Sequence, residues 1–170
     1  MSKIEVLNII VRMATDMAST ASGREADVGP GSAGDEAWAL LRELLFAERR
    51  RFFEAAAEFE LHPAQAGTLM QLDEGSGLPM HEIATRLACD NSNVTGIVDR
   101  LEARGLVTRR SGEQDRRLKY VVLTALGVKV RGAMGSKLAQ LPVAIERLSA
   151  EDQRVLRDVL ARATGSGSPA

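Results

Sequence analysis

At 170 residues, of which 45% are hydrophobic and 26% charged, the chain has the composition of an ordinary globular domain with room for a dimerisation extension. Its single cysteine, Cys89, excludes an internal disulfide and a multi-cysteine metal site, and it fits a reducing cytoplasm. No apolar run reaches the ~7–15 residues of a signal-peptide core or the ~20 of a membrane span, so we expect a cytoplasmic protein without a membrane partner.

The net charge of −1 hides an uneven distribution along the chain. Residues 1–78 carry 7 basic and 13 acidic residues, residues 79–137 carry 11 and 6, and residues 138–170 carry 4 of each, which gives net charges of −6, +5 and 0. A basic middle between acidic and neutral flanks predicts a local anionic partner. A solvated basic face would give the same pattern, so charge alone leaves both interpretations open.

An N-terminal extension and a C-terminal tail flank the predicted body of the protein. Ile4, Leu7 and Val11 recur at helical spacing, which predicts a helix over residues 3–18. A small, polar, glycine-rich stretch follows, so residues 1–34 are interpreted as an extra N-terminal helix with a flexible linker. The composition of residues 164–170 is similar and predicts a disordered tail.

Long helices are predicted on both sides of the central region. Over residues 35–60, Trp38 marks the inner side of one long helix, and Pro63 then occupies the first position of the next helix. Pro142 should kink or break the helices of residues 125–163. These two regions carry more apolar surface than one small domain can cover, so we predict that they are dimerisation helices.

Between them, residues 61–124 are predicted to hold a helix, a short turn, a second helix and a hairpin. Asn91 or Ser92 is a good N-cap for the second helix, which should end at Gly105. The hairpin is predicted from short strands at 107–109 and 120–123. This order predicts a mainly α (α+β) fold, a winged helix-turn-helix whose second helix enters the major groove of DNA.

Candidate DNA-contacting residues crowd the start of this second helix and the tip of the hairpin. Short polar residues that are poor helix formers favour a contact role over a purely structural one, and they are Asn91, Ser92, Asn93, Thr95 and Gly96, with Arg100 a turn later. Four arginines fall within residues 109–117 and would neutralise phosphate or enter a narrow minor groove. The hairpin candidates are Arg110, Arg116 and Arg117, and Arg86 on the preceding helix is assigned to the DNA backbone.

Two motifs in combination make the chain resemble the MarR family of winged-helix regulators over about residues 35–163. They are Asp99-Arg100-Leu101-Glu102 before Gly105-Leu106-Val107, and Asp115-Arg116-Arg117 before Leu123-Thr124 and Gly127. The resemblance implies a symmetric dimer in which Arg117 reaches the minor groove and Asp115 holds that arginine in place. Members often carry Arg at the position of Gly96, so base recognition is expected to differ.

Many MarR relatives bind small aromatic or phenolic effectors in a cleft between the dimer base and the DNA-binding domain. His62 and Phe53 are the candidates for lining such a cleft, although aromatic residues at helical spacing are more often core. Cys89 is interpreted as a small buried turn residue rather than a reactive thiol. His62 and His81 have no partners at ligand spacing, so neither a metal nor another cofactor is expected.

These features predict a sequence-specific, DNA-binding transcriptional regulator. We expect a repressor that binds an inverted-repeat operator on double-stranded DNA as a homodimer and that a small molecule releases. A winged-helix module that contacts an acidic protein remains the alternative. An enzyme is not expected, because the sequence shows no nucleophile–base pairing, phosphate-binding loop or metal cluster.

Overall fold

The computed structural model describes residues 31–87, 89–112 and 118–165. The predicted helix at 3–18, most of its linker and the end of the tail lie outside the described residues. Helices and short strands follow one another in the order α1 (Ala33–Glu58), α2 (Pro63–Gln71), β1 (Leu78–Pro79), α3 (Met80–Leu87), α4 (Asn91–Ala103), β2 (Val107–Ser111), β3 (Lys119–Leu123), α5 (Ala125–Leu138), α6 (Val143–Glu146) and α7 (Ala150–Ala163).

Local sequence signals set most of the helix ends. Pro63 is the first residue of α2, and Ser149 accepts a hydrogen bond from the backbone N–H of Asp152 at 3.1 Å to begin α7. Gly105 ends α4 with a φ of +66°. The prediction that Asn91 or Ser92 caps α4 is wrong, because Asp90 is the last residue with extended backbone and occupies the N-cap position without a side-chain cap bond.

The three strands form an antiparallel sheet in the order β1-β3-β2. Arg109 of β2 is opposite Val121 of β3, and on the other side Leu78 of β1 pairs with the same Val121. Strand β1 was not predicted from the sequence. Two residues are too few to show the alternating pattern of a strand, and one of them is Pro79, which has no backbone N–H to donate to a neighbouring strand.

One apolar core lies beneath the helix-turn-helix. The C-terminal half of α1 contributes Phe52, and every element from α2 to α5 except β1 adds at least one buried side chain. The largest fully buried apolar side chains are Phe52, Leu69, Leu72, Ile83, Val94, Val98, Leu101, Val107, Val121 and Met134. The core therefore holds the two helices of the motif and the hairpin as one unit.

The other described elements leave apolar surface on the outer helices uncovered. Trp38 is 56% exposed, so its prediction as an inner residue is wrong for the described part of a single chain, where no other element covers that part of α1. Helix α7 has no buried residue, and Val155 and Val159 face solvent. Pro142 breaks the C-terminal region as predicted, since α5 ends at Leu138 and only the four residues of α6 precede α7. None of the described helices is both long and apolar enough to cross a membrane.

The hairpin joins α5 through a close backbone approach. Thr124 is the N-cap of α5, where its Oγ1 accepts a hydrogen bond from the N–H of Gly127 at 3.0 Å. The same hydroxyl donates to the carbonyl of Gly105 at 2.6 Å, and the Thr124 N–H donates to the carbonyl of Leu106 at 3.1 Å. A side chain at Gly127 would collide with that Leu106 carbonyl, so glycine is required at this junction.

Candidate nucleic-acid interface

Helix α4 divides into a buried face and an exposed polar face. Val94, Val98 and Leu101 are fully buried, and their spacing of three to four residues places them on one side of the helix. The predicted contact residues Ser92, Asn93, Thr95 and Arg100 are exposed, and Gly96 is half-buried with open space where a side chain would begin. Asn91 begins the helix, but its side chain lies outside the described ones.

Strand β2 is tied to this helix by Arg109. Its guanidinium donates to the Asp99 carboxylate at 2.5 Å and to the Glu102 carboxylate at 2.7 Å, and a third bond reaches the carbonyl of Thr95 at 3.3 Å. The backbone N–H of Arg109 also donates to Glu102 at 2.9 Å. Charge-assisted bonds of this kind are both directional and strong, so they fix the strand against the helix.

The sequence interpretation counted Arg109 among four arginines that neutralise phosphate. In the structure, Arg109 instead joins β2 to α4. Its charge is already matched by two carboxylates inside the protein. The signal that was missed is the three-residue spacing of Asp99 and Glu102, which puts two carboxylates on one side of a helix next to a basic strand.

The remaining hairpin candidates divide between described and undescribed residues. Arg110 follows Arg109 on β2 and is exposed at the edge of the hairpin. Asp115, Arg116 and Arg117 lie outside the described residues. Of the predicted wing contacts, Arg110 is therefore the one whose position the structure gives.

Arg86, the candidate for the DNA backbone, is partly engaged within the protein. Its guanidinium forms an ion pair with Glu82 at 2.8 Å and reaches the carbonyl of Gln71 at 3.5 Å. The side chain remains partly exposed at the end of α3. An exposed ion pair one turn apart is weak, about 0.3–0.5 kcal/mol, so Arg86 can exchange Glu82 for a stronger anion.

A cleft of about 550 Å³ separates α1 and the start of α2 from the first half of α4. The two effector candidates His62 and Phe53 both line it, and so do residues of α4. Its lining includes Phe52, Phe53, His62, Ser92, Asn93, Gly96 and Ile97. The guanidinium carbon of Arg49 is 5.1 Å from the centre of the Phe53 ring, within the range of a cation–π contact.

His62 has a structural role at this cleft. Its Nδ1 accepts a hydrogen bond from the N–H of Ala64 at 3.3 Å, and its own N–H donates to the Gln65 side chain at 2.8 Å. The residue is therefore the N-cap of α2 in a reciprocal capping arrangement. A ring nitrogen that accepts a bond carries no proton, so the imidazole presents only Nε2–H as a donor.

Cys89, interpreted from the sequence as a small buried turn residue, lies at the edge of the same cleft and is half-buried, packed against the core. Its burial and the nearby Asp90 carboxylate both raise the pKa of the thiol above the ordinary value. The thiolate is the reactive form of cysteine, so the structure disfavours reactivity at neutral pH.

Comparison with known proteins places this geometry in a family. The model of the MarR family matches residues 61–119. YfiV, an HTH-type transcriptional regulator of Bacillus subtilis strain 168, is 30% identical over 126 residues, which cover 74% of this chain and 79% of that protein.

Solved structures show the same fold. A transcriptional regulator of Thermotoga maritima is 27% identical with a TM-score of 0.61, and the match covers 78% of this chain and 94% of that one. A variant of MepR from Staphylococcus aureus, solved with a bound oligodeoxyribonucleotide, is 24% identical with a TM-score of 0.58 over 76% of this chain and 96% of that one. The chain thus belongs to the MarR family of winged helix-turn-helix proteins, and it is a DNA-binding transcriptional regulator rather than an enzyme.

Proposed function

We propose that the protein is a homodimeric repressor that binds an inverted-repeat operator, with α4 in the major groove and the hairpin in the minor groove. The observation that carries this proposal is the polar, exposed face of α4. The opposite face of the helix is apolar and fully buried, and an arginine-bearing hairpin lies beside the helix. A helix held in this way can present amides and hydroxyls to base edges without exposing the core.

In this proposal the contacts divide into those that read bases and those that hold phosphate. Asn93 is the strongest candidate for base reading because its exposed amide can pair with an adenine edge. Arg110 and Arg86 bind the backbone, and Arg117 enters the minor groove with Asp115 holding it. The other proposed contacts are Asn91, Ser92, Thr95, Gly96, Arg100 and Arg116.

The homodimer follows from the apolar surface that one chain leaves exposed. Trp38 and Leu40 of α1 and Val155 and Val159 of α7 are all at least 45% exposed. A soluble monomer rarely keeps such surface in contact with water, so a second copy is expected to cover it through residues 35–60 and 125–163. Light scattering that found an 18.3 kDa particle at micromolar concentration would contradict the dimer.

We also propose that a small aromatic or phenolic effector releases the DNA by entering the 550 Å³ cleft. Phe53 would pack on the effector ring, and the Nε2–H of His62 would bind a phenolic oxygen. Since Ser92 and Asn93 line the cleft as well as the proposed DNA face, the effector and the operator would compete for them. A panel of phenols that displaced DNA equally from the wild type and from Phe53→Ala would argue against this site.

The central test begins with selection of duplexes from a random-sequence library. Asn93→Ala should lower affinity for the selected duplex by about 1–3 kcal/mol and affect random DNA of the same length much less. Arg117→Ala should weaken both, with an extra loss where the flanking minor groove is narrow, and Asp115→Ala should do the same more mildly. Arg154→Ala, on the exposed surface of α7, is the matched charge control. It should change neither affinity, and light scattering must show an unchanged particle mass, since α7 is part of the proposed dimer surface.

The alternative, a protein-contact module, makes the opposite prediction. Selection would then enrich no duplex sequence, and wild-type affinity would not depend on DNA sequence. If Asn93→Ala lowered both affinities equally, its placement against the bases would be wrong.

A further inference from the structure

Helix α4, which the proposed function places in the major groove, is followed by an arginine, Arg104, whose side chain reaches the corner between α1 and α2. Arg104 is the C-cap residue of α4. Its two terminal guanidinium nitrogens donate to two successive carbonyls, those of Glu60 and Phe59, the latter at 2.9 Å. The Glu60 carboxylate lies 3.6 Å from the same guanidinium. The planar fork of arginine suits two neighbouring acceptors in a way that a lysine ammonium does not.

The corner that receives Arg104 has an unusual backbone. Glu60 has a φ of +54° and is the one non-glycine residue with positive φ in the described part of the chain. It follows the C-terminus of α1, where the N–H of Leu61 donates back to the carbonyl of Ala56 at 3.0 Å. Carbonyls that follow a helix end lack intrahelical partners. Arg104 supplies donors to two of them.

The hydrogen bonds of Arg104 can fix the direction of α4, which apolar packing alone does not. Burial of Val94, Val98 and Leu101 is strong but non-directional. Arg109 fixes the middle of the helix to the hairpin, which moves with the helix as part of the same unit. Arg104 joins the C-terminal end of the helix to the residues that follow α1, the element that also borders the proposed effector cleft.

We propose that Arg104 is a positioning residue for base recognition, which sets the tilt of α4 relative to α1 through its paired carbonyl bonds. Base-edge hydrogen bonds need short distances and good angles, whereas phosphate attraction varies slowly with distance. Loss of the Arg104 bonds therefore reduces sequence discrimination more than it reduces general DNA affinity. This inference rests on the proposed operator binding.

The competing role for Arg104 is a direct phosphate contact, since its side chain is 35% exposed. The two roles differ in what they predict for affinity and for salt. A positioning residue changes the ratio of specific to random affinity, while a phosphate ligand lowers both affinities together and reduces the salt slope by about one unit.

Three variants separate these roles, each measured on the library-selected duplex and on a random duplex at two salt concentrations. Arg104→Ala should lower affinity for the selected duplex roughly tenfold and leave random binding nearly unchanged. Arg104→Lys keeps the charge without the fork and should recover no more than part of that loss. Glu60→Gly keeps both carbonyl acceptors and relieves the positive φ, so its specificity ratio should match the wild type.

Several outcomes would overturn the inference. One is an equal loss of affinity for both duplexes in Arg104→Ala, together with a smaller salt slope. Another is full recovery of affinity for the selected duplex in Arg104→Lys. The third is a loss of specificity in Glu60→Gly as large as in Arg104→Ala. Circular dichroism at the assay temperature identifies an unfolded Arg104→Ala, in which case the ratio in Arg104→Lys decides. A wild type without sequence preference would defeat the proposed function itself, whereas a selective wild type with an unchanged ratio in the variants would defeat only the role of Arg104.

Discussion

Gly127, in the first turn of α5, lies against the backbone of Leu106, the residue before β2. This close approach lets us estimate how much an added methyl group would lower the free energy of unfolding. A Cβ at Gly127 would lie 1.9 Å from the carbonyl oxygen of Leu106, about 1.5 Å closer than the 3.4 Å at which ordinary contact begins. The obstacle is backbone rather than a flexible side chain. The start of α5 and the backbone at Leu106, the residue before β2, must therefore move apart in Gly127→Ala.

The magnitude follows from the two interactions that this movement disturbs. Overpacking a rigid site costs about 1–3 kcal/mol, and loss of the hydrogen bond from Thr124 to the Leu106 carbonyl adds about 0.5–1.5 kcal/mol. We expect Gly127→Ala to lower the free energy of unfolding by about 2–4 kcal/mol. For a chain of this size that corresponds to a fall in Tm of roughly 5–15 °C.

Gly132 on the same helix is the matched control. It is exposed, and a Cβ there would meet nothing within 4 Å. Gly132→Ala should therefore raise stability by about 0.5–1 kcal/mol, because a glycine inside a helix costs that much relative to alanine. Thermal and urea unfolding should be compared at one protein concentration, since the proposed dimerisation would make Tm concentration-dependent. A Gly127→Ala protein as stable as the wild type would refute the reasoning.

Two further predictions concern the interface. Arg109→Ala should release the hairpin from α4 and lower the free energy of unfolding by about 1–2 kcal/mol, after discounting for partial exposure of the ion pairs. Arg110→Ala, at the exposed neighbouring residue, should change the free energy of unfolding by less than about 0.5 kcal/mol. Equal stability of the two variants would contradict the role assigned to Arg109. Cys89 should react with iodoacetamide more slowly than glutathione at pH 7.5, because its raised pKa leaves less thiolate, and Asp90→Asn should speed the reaction by removing one cause of that shift. Alkylation of native Cys89 as fast as that of the unfolded chain would show that the thiol is not protected.

Sequence reasoning recovered the features that depend on neighbours along the chain. The order of helices and hairpin strands, the end of α4 at Gly105, the start of α2 at Pro63 and the break at Pro142 all follow from local backbone preferences, which act within a few residues. The motifs at residues 99–107 and 115–127, in combination, likewise indicated the family from the sequence alone. Side-chain periodicity also placed Asn93 on the exposed side of α4.

Only the tertiary structure decided which distant groups meet. Periodicity shows which side of a helix a residue occupies but not what lies opposite, so it placed Arg109 among the phosphate contacts and gave Arg104 no role, although each has partners inside the protein. Trp38 shows the same limit in reverse. Its spacing marks a face that must be covered, yet no described element of its own chain covers it. Burial depends on what packs across the surface, and for Trp38 that partner lies outside the described part of the chain; in the proposed homodimer it is the second copy.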